Sequence, residues 1–424
     1  MHPTKELILF SYSQAVYINP TIKALFTQLI AKGWEIKLLA PIQRINLGDA
    51  QLNINFKSII ELTYTEPLKV SSWFNRCIEL MRTEGRAVKI MLSPLKALWR
   101  EIIVYKKTQK EREEQNKFIG SRGLKVFLSM GSIAAQETRL AYKKYNQKSK
   151  KHGIISFEIE CWDDYEAINS DVLALKKNSD LFIKELDFVV IQDSMREALF
   201  REQNAVNKKA KVFHVPVAPL GNHMRKPRKL DSSREVRLLH SGSAYKWSGM
   251  EWITKGIRSS IKSNFSLTIH SFQNLSENNY IKELKIINNE KRNISFLSKV
   301  MSDSEHENFV LDYDIGIAIY QNDESNNGTL GRNMENIGLS SGKFSLFMKM
   351  GIPVIMKSHP FMLNLVSSEP IGYLMNSTGE WDDAIDYITE NYDVLSKNCI
   401  SFYERRLNPY NTMEPFFSFL AREN

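Results

Sequence analysis

The stretch that most narrows the fold runs from Glu335 to Met356, where the chain reads Glu-Asn-Ile-Gly-Leu-Ser-Ser-Gly-Lys-Phe-Ser-Leu-Phe-Met-Lys-Met-Gly-Ile-Pro-Val-Ile-Met. Ser340, Ser341 and Gly342 are residues of turns and helix N-caps. From Lys343 to Met350, apolar side chains at Phe344, Phe347, Met348 and Met350 predict a short, mostly buried helix. Gly351 closes it in the left-handed conformation, Pro353 bars its return, and Val354, Ile355 and Met356 read as a buried strand. The first N–H groups of such a helix lack intrahelical acceptors and lie at the positive end of its dipole. Lys343 adds a full charge, and the combination suits an anion. The same local pattern also fits a capped helix that binds nothing.

The same punctuation recurs along the chain. Leu7–Phe10 reads as a strand, Pro20 opens a helix with Ile22, Leu25, Phe26, Leu29 and Ile30 on one face, and Gly33 precedes a second strand, Trp34–Leu39. Strand, one-faced helix and strand make a βαβ unit, hence a parallel sheet covered by helices, with ligands at the carboxyl ends of its strands. The loop Ser11-Tyr12-Ser13-Gln14 then faces the cleft, and it lacks the Gly-x-Gly-x-x-Gly phosphate fingerprint. Further strands are predicted at Val126–Leu128, at Gly153–Phe157 after a basic turn, Lys148 to His152, at Asp187–Gln192 before an Asp193-Ser194 cap, and from Lys211 into a proline-punctuated loop. Beyond the basic stretch Met224–Lys229 the pattern resumes, with strands at Val236–His240, Leu267–His270, Ile294–Leu297 and Ile315–Tyr320.

A chain of 424 residues exceeds one ordinary core. Two α/β domains are expected, 1–220 and 221–404, with an aromatic-faced helix in 405–424 returning to the first. Hydrophobic content of 43%, with only 13 prolines and 19 glycines, predicts a chain folded almost throughout. The apolar run Leu7–Phe10 is too short for a signal peptide and no long apolar run follows, so a cytoplasmic location is expected. Cys77, Cys161 and Cys399 are not spaced as metal ligands, and neither a disulfide nor a zinc site is predicted.

A net charge of +9 asks for an anionic partner, whether a nucleotide, a membrane surface or a nucleic acid. No zinc-finger spacing or RNP-type aromatic motif is present, so nucleic acid is not expected. Residues 86–110 interleave Lys89, Lys96, Arg100, Lys106 and Lys107 with Leu92, Leu95, Trp99 and Ile103. Such a helix can lie on an anionic bilayer or pack its apolar face on the sheet.

Three further groups invite chemistry. Gly242, Ser243 and Lys246 sit in a strand-to-helix turn that can approach phosphates closely. Glu158, Glu160, Asp163 and Asp164 put four carboxylates at a strand's carboxyl end, suited to acid–base work or to sugar hydroxyls, or else to capping the next helix. Asp312-Tyr-Asp314 has the spacing of a metal-binding pair, but it precedes its strand, away from the cleft, so it is read as helix termination and strand start. No metal is expected.

The serine and lysine helix followed by Gly351-Ile-Pro-Val-Ile355, together with the order of strands from Val236 onward, resembles the C-terminal domain of GT-B glycosyltransferases of the glycosyltransferase-1/4 type. The likeness runs in order through nearly the whole chain. It implies an α/β GT-B fold, two Rossmann-like domains with parallel sheets facing a central cleft. It implies a nucleotide-sugar donor, whose diphosphate meets Gly242, Ser243, Lys246, Ser340, Ser341, Gly342 and Lys343, and no cofactor. It also implies a glycan or lipid-linked glycan acceptor in capsule or lipopolysaccharide synthesis, with peripheral contact at the inner membrane face through 86–110. Glu160 resembles the glutamate of a Tyr-x-x-Glu-like segment in some polysaccharide glycosyltransferases, and with Asp163 it is the candidate base. Retaining members carry two glutamates eight residues apart, where this chain has Gly338 and Leu346; Glu335 is the nearby substitute for ribose contacts. A catalytically inactive GT-B-like partner subunit and a GT-B-fold epimerase are the alternatives, the latter disfavoured by few cleft histidines.

Overall fold

Short apolar strands separated by capped helices favour parallel pairing, and here they pair in parallel in two sheets. The computed structural model describes residues 5–11, 19–41, 59–62, 123–131, 134–145, 150–155, 179–223, 230, 234–276, 278–291, 293–324 and 331–422. The first sheet runs β3-β2-β1-β4-β5-β6-β7, from β1 (Lys5–Phe10), β2 (Glu35–Pro41), β3 (Ile59–Leu62), β4 (Leu124–Met130), β5 (Lys150–Ile155), β6 (Phe188–Ile191) and β7 (Lys211–His214). The second runs β10-β9-β8-β11-β12-β13, from β8 (Val236–Ser241), β9 (Phe265–Ser271), β10 (Asn293–Ser298), β11 (Ile315–Ile317), β12 (Val354–Lys357) and β13 (Gly372–Met375). Strand order reverses between β1 and β4 in one sheet and between β8 and β11 in the other, which opens a crevice at the carboxyl ends of each pair.

Local chemistry accounts for the elements beside these crevices. Asn19 caps the helix Pro20–Ala31, its Oδ1 accepting from Thr21 N at 2.9 Å and Ile22 N at 3.2 Å. Ile22, Leu25, Phe26 and Leu29 bury as the spacing predicts, but Ile30, at the edge of that stripe in the last turn, is exposed. The helix Gly342–Lys349 begins one residue before the expected Lys343, because Ser341 Oγ accepts from Phe344 N at 3.0 Å and fixes the start. Gly351 follows at φ 63°, where a side chain would also meet Ile400.

Three sequence expectations need correction. Lys150, Lys151 and His152 are strand rather than turn. Lys151 Nζ donates to the Arg422 carbonyl and His152 Nδ1 lies 2.8 Å from Asp187 Oδ2, so distant partners make a basic run compatible with burial. Strand β11 stops at Ile317 rather than Tyr320, because Gln321 N turns away to the Trp247 carbonyl at 3.0 Å. Strands β3 and β13, each four residues long, carry too little periodicity to be read from the sequence.

The last helix, Glu414–Ala421, lies on the first sheet. Met413, Phe416, Phe417 and Leu420 share one core with Leu7, Leu25, Val126 and Phe188, and the rings of Phe188 and Phe416 are 5.2 Å apart. At the amino ends of the same strands, buried Glu6 pairs with Lys37 at 3.0 Å and with Lys125. Among the described residues no helix is long and apolar enough to cross a membrane. The basic stretch 86–110, the loop residues Tyr12 to Gln14 and the acidic segment with Glu160 and Asp163 lie outside the described residues.

Candidate active site

The reversal between β8 and β11 sets where the second domain's residues converge. Strand β8, buried except at Arg237, delivers His240, Ser241 and Gly242 to the carboxyl edge, and the chain after β11 delivers Tyr320 and Gln321 beside them. The helix Gly342–Lys349 starts against both. His240 is fully buried. Its Nε2 lies 3.0 Å from the Ser243 carbonyl, which places the ring proton there and leaves Nδ1 as an acceptor, 3.5 Å from Lys343 Nζ. The Lys343 ammonium also stands 5.0 Å from the centre of the Tyr320 ring, within cation–π range.

Among the described residues no carboxylate pairs with Lys343. Burial alone pushes its pKa down to about 7. Burial and the neighbouring Lys343 charge hold His240 well below the usual imidazole range, so the proton of the pair belongs to the lysine. A half-buried cation at a helix start, facing a neutral acceptor and an aromatic ring, is an electrostatic arrangement completed by an anion.

The other expected donor residues divide into two sets. Gly342 opens the helix, and the Ser345 N to Ser341 O bond at 3.0 Å is the first of its turn, so the Gly342 and Lys343 amides precede the intrahelical ladder. Ser243 and Lys246 are half-buried on the loop that follows β8, and Gly242 N donates to the His270 carbonyl at 3.0 Å. The two serines bond within the protein instead: Ser341 Oγ caps the helix and bonds the Tyr320 hydroxyl, and Ser340 Oγ donates to Gln192 Oε1 of the first domain at 3.1 Å. Glu335 is exposed at the end of the short helix Gly331–Glu335. Asp314 is buried at the amino end of β11, with one oxygen 2.5 Å from Arg234 and the other accepting from Arg237 N at 3.0 Å. That carboxylate anchors the strand start.

Sequence reasoning passed over His240, Tyr320 and the pair His270 and His306. Ser241 Oγ sits between those two imidazoles, 2.9 Å from His270 Nδ1 and 2.7 Å from His306 Nε2. Burial lowers both, His306 to about 4, so they act as neutral hydrogen-bonding groups that fix the end of β8. A polar residue ending an otherwise buried strand, as in Leu238-Leu239-His240-Ser241, was the available signal.

Solved structures share this architecture. Sucrose-phosphate synthase from Thermosynechococcus elongatus superposes with a TM-score of 0.60 at 13% identity, over 98% of this chain and 99% of the other. A glycosyltransferase from Rickettsia africae gives 0.60 at 13% identity over 98% of each chain. HepE from Anabaena, solved with UDP-glucose, gives 0.58 at 12% identity over 98% of this chain and 99% of its own. No curated protein matches the sequence. The fold is that of the GT-B glycosyltransferases, as the sequence resemblance implied. Residues 260–414 match the family described as Glucosyltransferase 3-like, C-terminal domain. Residues 260–414 thus form a domain similar to that glucosyltransferase type, within a chain of GT-B fold.

Proposed function

We propose that this enzyme transfers a hexose from a uridine diphosphate sugar to a glycan or lipid-linked glycan during cell-surface polysaccharide synthesis of the capsule or lipopolysaccharide kind. The observation that carries the donor reading is Lys343, a half-buried ammonium with no acidic partner among the described residues, at the head of a helix whose first amides lie beside it. The diphosphate of the donor supplies the missing negative charge, with Gly242, Ser243 and Lys246 closing from the opposite loop. When the sugar–phosphate bond breaks, charge grows on the leaving diphosphate, and a fixed cation and amides stabilise it more than they stabilise the intact donor. HepE, solved with UDP-glucose, supports uridine as the first nucleotide to test. No metal is required in this reading, because Lys343 and the helix head supply the positive charge.

The acceptor side belongs to the first domain, where Glu160 or Asp163 serves as base in this proposal. Residues 86–110 place the enzyme at the inner membrane face. Flotation with anionic liposomes checks that placement, and Lys→Glu changes at Lys89, Lys96 and Lys106 should abolish it. Donor binding is checked by calorimetry with UDP-glucose. Lys343→Ala should weaken it by about 1–3 kcal/mol, the usual loss of a charge-assisted hydrogen bond, and unchanged affinity would sink the assignment.

A further inference from the structure

The turn before the donor helix, residues 336–340, is held by the first domain. Leu339 N donates to Asp193 Oδ2 at 2.9 Å, and Val217 N donates back to the Leu339 carbonyl at 3.0 Å. Ser340 Oγ reaches Gln192, and Arg196 Nη1 donates to the Asn336 carbonyl at 3.0 Å. Asp193 and Leu339 are each more than nine-tenths buried, so these bonds form in an environment with little competing water. The other carboxylate oxygen of Asp193, Oδ1, caps the helix Ser194–Gln203, accepting from Met195 N at 3.0 Å and Arg196 N at 2.9 Å.

Residue 338 shows how closely the two parts fit. Gly338 has φ 49°, and a Cβ there would overlap the Asp193 carboxylate. This is the position at which the sequence lacks the glutamate of retaining relatives. Here the side chain is absent, and a carboxylate from the other domain occupies the space beside it.

We infer that Asp193 is a positioning residue for donor binding, which locks the turn 336–340 and hence the head of the helix Gly342–Lys349 in register from across the domain boundary. The inference rests on the donor reading above. It makes the donor site a shared construction: the second domain supplies Lys343 and the amides, while the carboxyl end of β6 sets where they point. Separation of the domains breaks the Asp193 to Leu339 and Val217 to Leu339 bonds together, so the donor loop loses its support whenever the cleft opens at this edge.

Asp193→Asn separates this role from simple helix capping. Asparagine caps helices as well as aspartate. Two N–H groups meet the capping oxygen, so the amide keeps its oxygen there and turns its NH2 toward the Leu339 N–H, donor against donor. The expected result is a folded protein whose melting temperature falls by a few degrees, with UDP affinity weakened about tenfold, the size of loss seen when a buried charged hydrogen bond is removed. Asp193→Ser, which caps but is too short to reach Leu339, should behave alike. A capping role alone predicts wild-type UDP affinity and turnover in both variants, and that result overturns the inference.

Wild-type enzyme gives a check that does not depend on variant folding. Coupling is reciprocal, so UDP should slow hydrogen exchange at the Met195 and Arg196 amides as well as at Leu339. No change at Met195 and Arg196 counts against the clasp. The two readings fail differently: if wild type does not bind UDP, or Lys343→Ala binds it equally, the donor assignment is wrong. If Lys343→Ala loses binding while the Asp193 variants keep it, only the clasp is wrong.

Discussion

Lys343 Nζ faces His240 Nδ1 at 3.5 Å, and the fold leaves one proton for two bases. The Ser243 carbonyl fixes the His240 tautomer, burial keeps the ring neutral, and the lysine is held at about pH 7, where its charge is sensitive to what arrives beside it.

Binding of UDP-glucose should therefore take up protons. A diphosphate next to Lys343 favours the ammonium and raises its pKa from about 7. Above pH 7 the free enzyme has lost part of that charge, so affinity falls as pH rises. Calorimetry at pH 8 in buffers of different ionisation enthalpy should show uptake of a fraction of one proton. Identical heats across buffers would contradict it.

Replacing Lys343 by methionine should stabilise the fold while weakening donor binding. The unfolded chain keeps a lysine protonated to about pH 10.4, the folded one only to about 7. Between these values the unfolded state binds more protons, so stability from this group rises with pH and its penalty is largest below pH 7. Denaturant melts should show Lys343→Met more stable at pH 6 by about 0.5–2 kcal/mol, with the difference shrinking by pH 9. A less stable variant at pH 6 would refute the argument.

Phe416→Ala should cost about 3–5 kcal/mol, as for other buried aromatic truncations, because its ring fills space against both Phe188 and Phe213. Chemical denaturation followed by a probe in the first domain reads the loss, and a change below 1 kcal/mol, the scale of a surface site, would mean the helix is loosely docked.

Glu160→Gln tests the base. If Glu160 removes the acceptor proton, the variant should fold, bind UDP-glucose normally and transfer sugar about 10²-fold more slowly. Near-normal transfer would remove Glu160 from the site.

What the sequence disclosed follows the range of the forces involved. Pro20 after Asn19, Gly351 before Pro353 and the apolar run at Val354 act within a turn of themselves, and the elements they mark stand where expected, within a residue or two. The Ser340 to Lys343 stretch likewise announced a helix head. Its serine hydroxyls looked free because their partners, Gln192 and Tyr320, are 148 and 21 residues away. Lys151 looked like a solvated turn residue for the same reason, since the Arg422 carbonyl that accepts from it lies 271 residues on. His240 showed locally only as a polar residue closing a buried strand, and its role exists only once β8 lies beside the donor helix. Asp193 was visible as a cap, but its second oxygen found its use in the other domain.

The helix Glu414–Ala421 gives the chain an unusual order of assembly. The ribosome makes the seven strands of the first sheet early, yet the apolar side chains that cover Leu7, Val126 and Phe188 from this side arrive only after the entire second sheet has been synthesised. A nascent first domain thus waits with an uncovered face, the condition in which chains recruit holdase chaperones or aggregate. Once the helix docks, the polypeptide crosses between domains twice, first in the stretch after β7 and again ahead of Pro409. Two crossings of one boundary make a double tether, so neither half of the chain can be separated from the other by cutting the stretch after β7 alone.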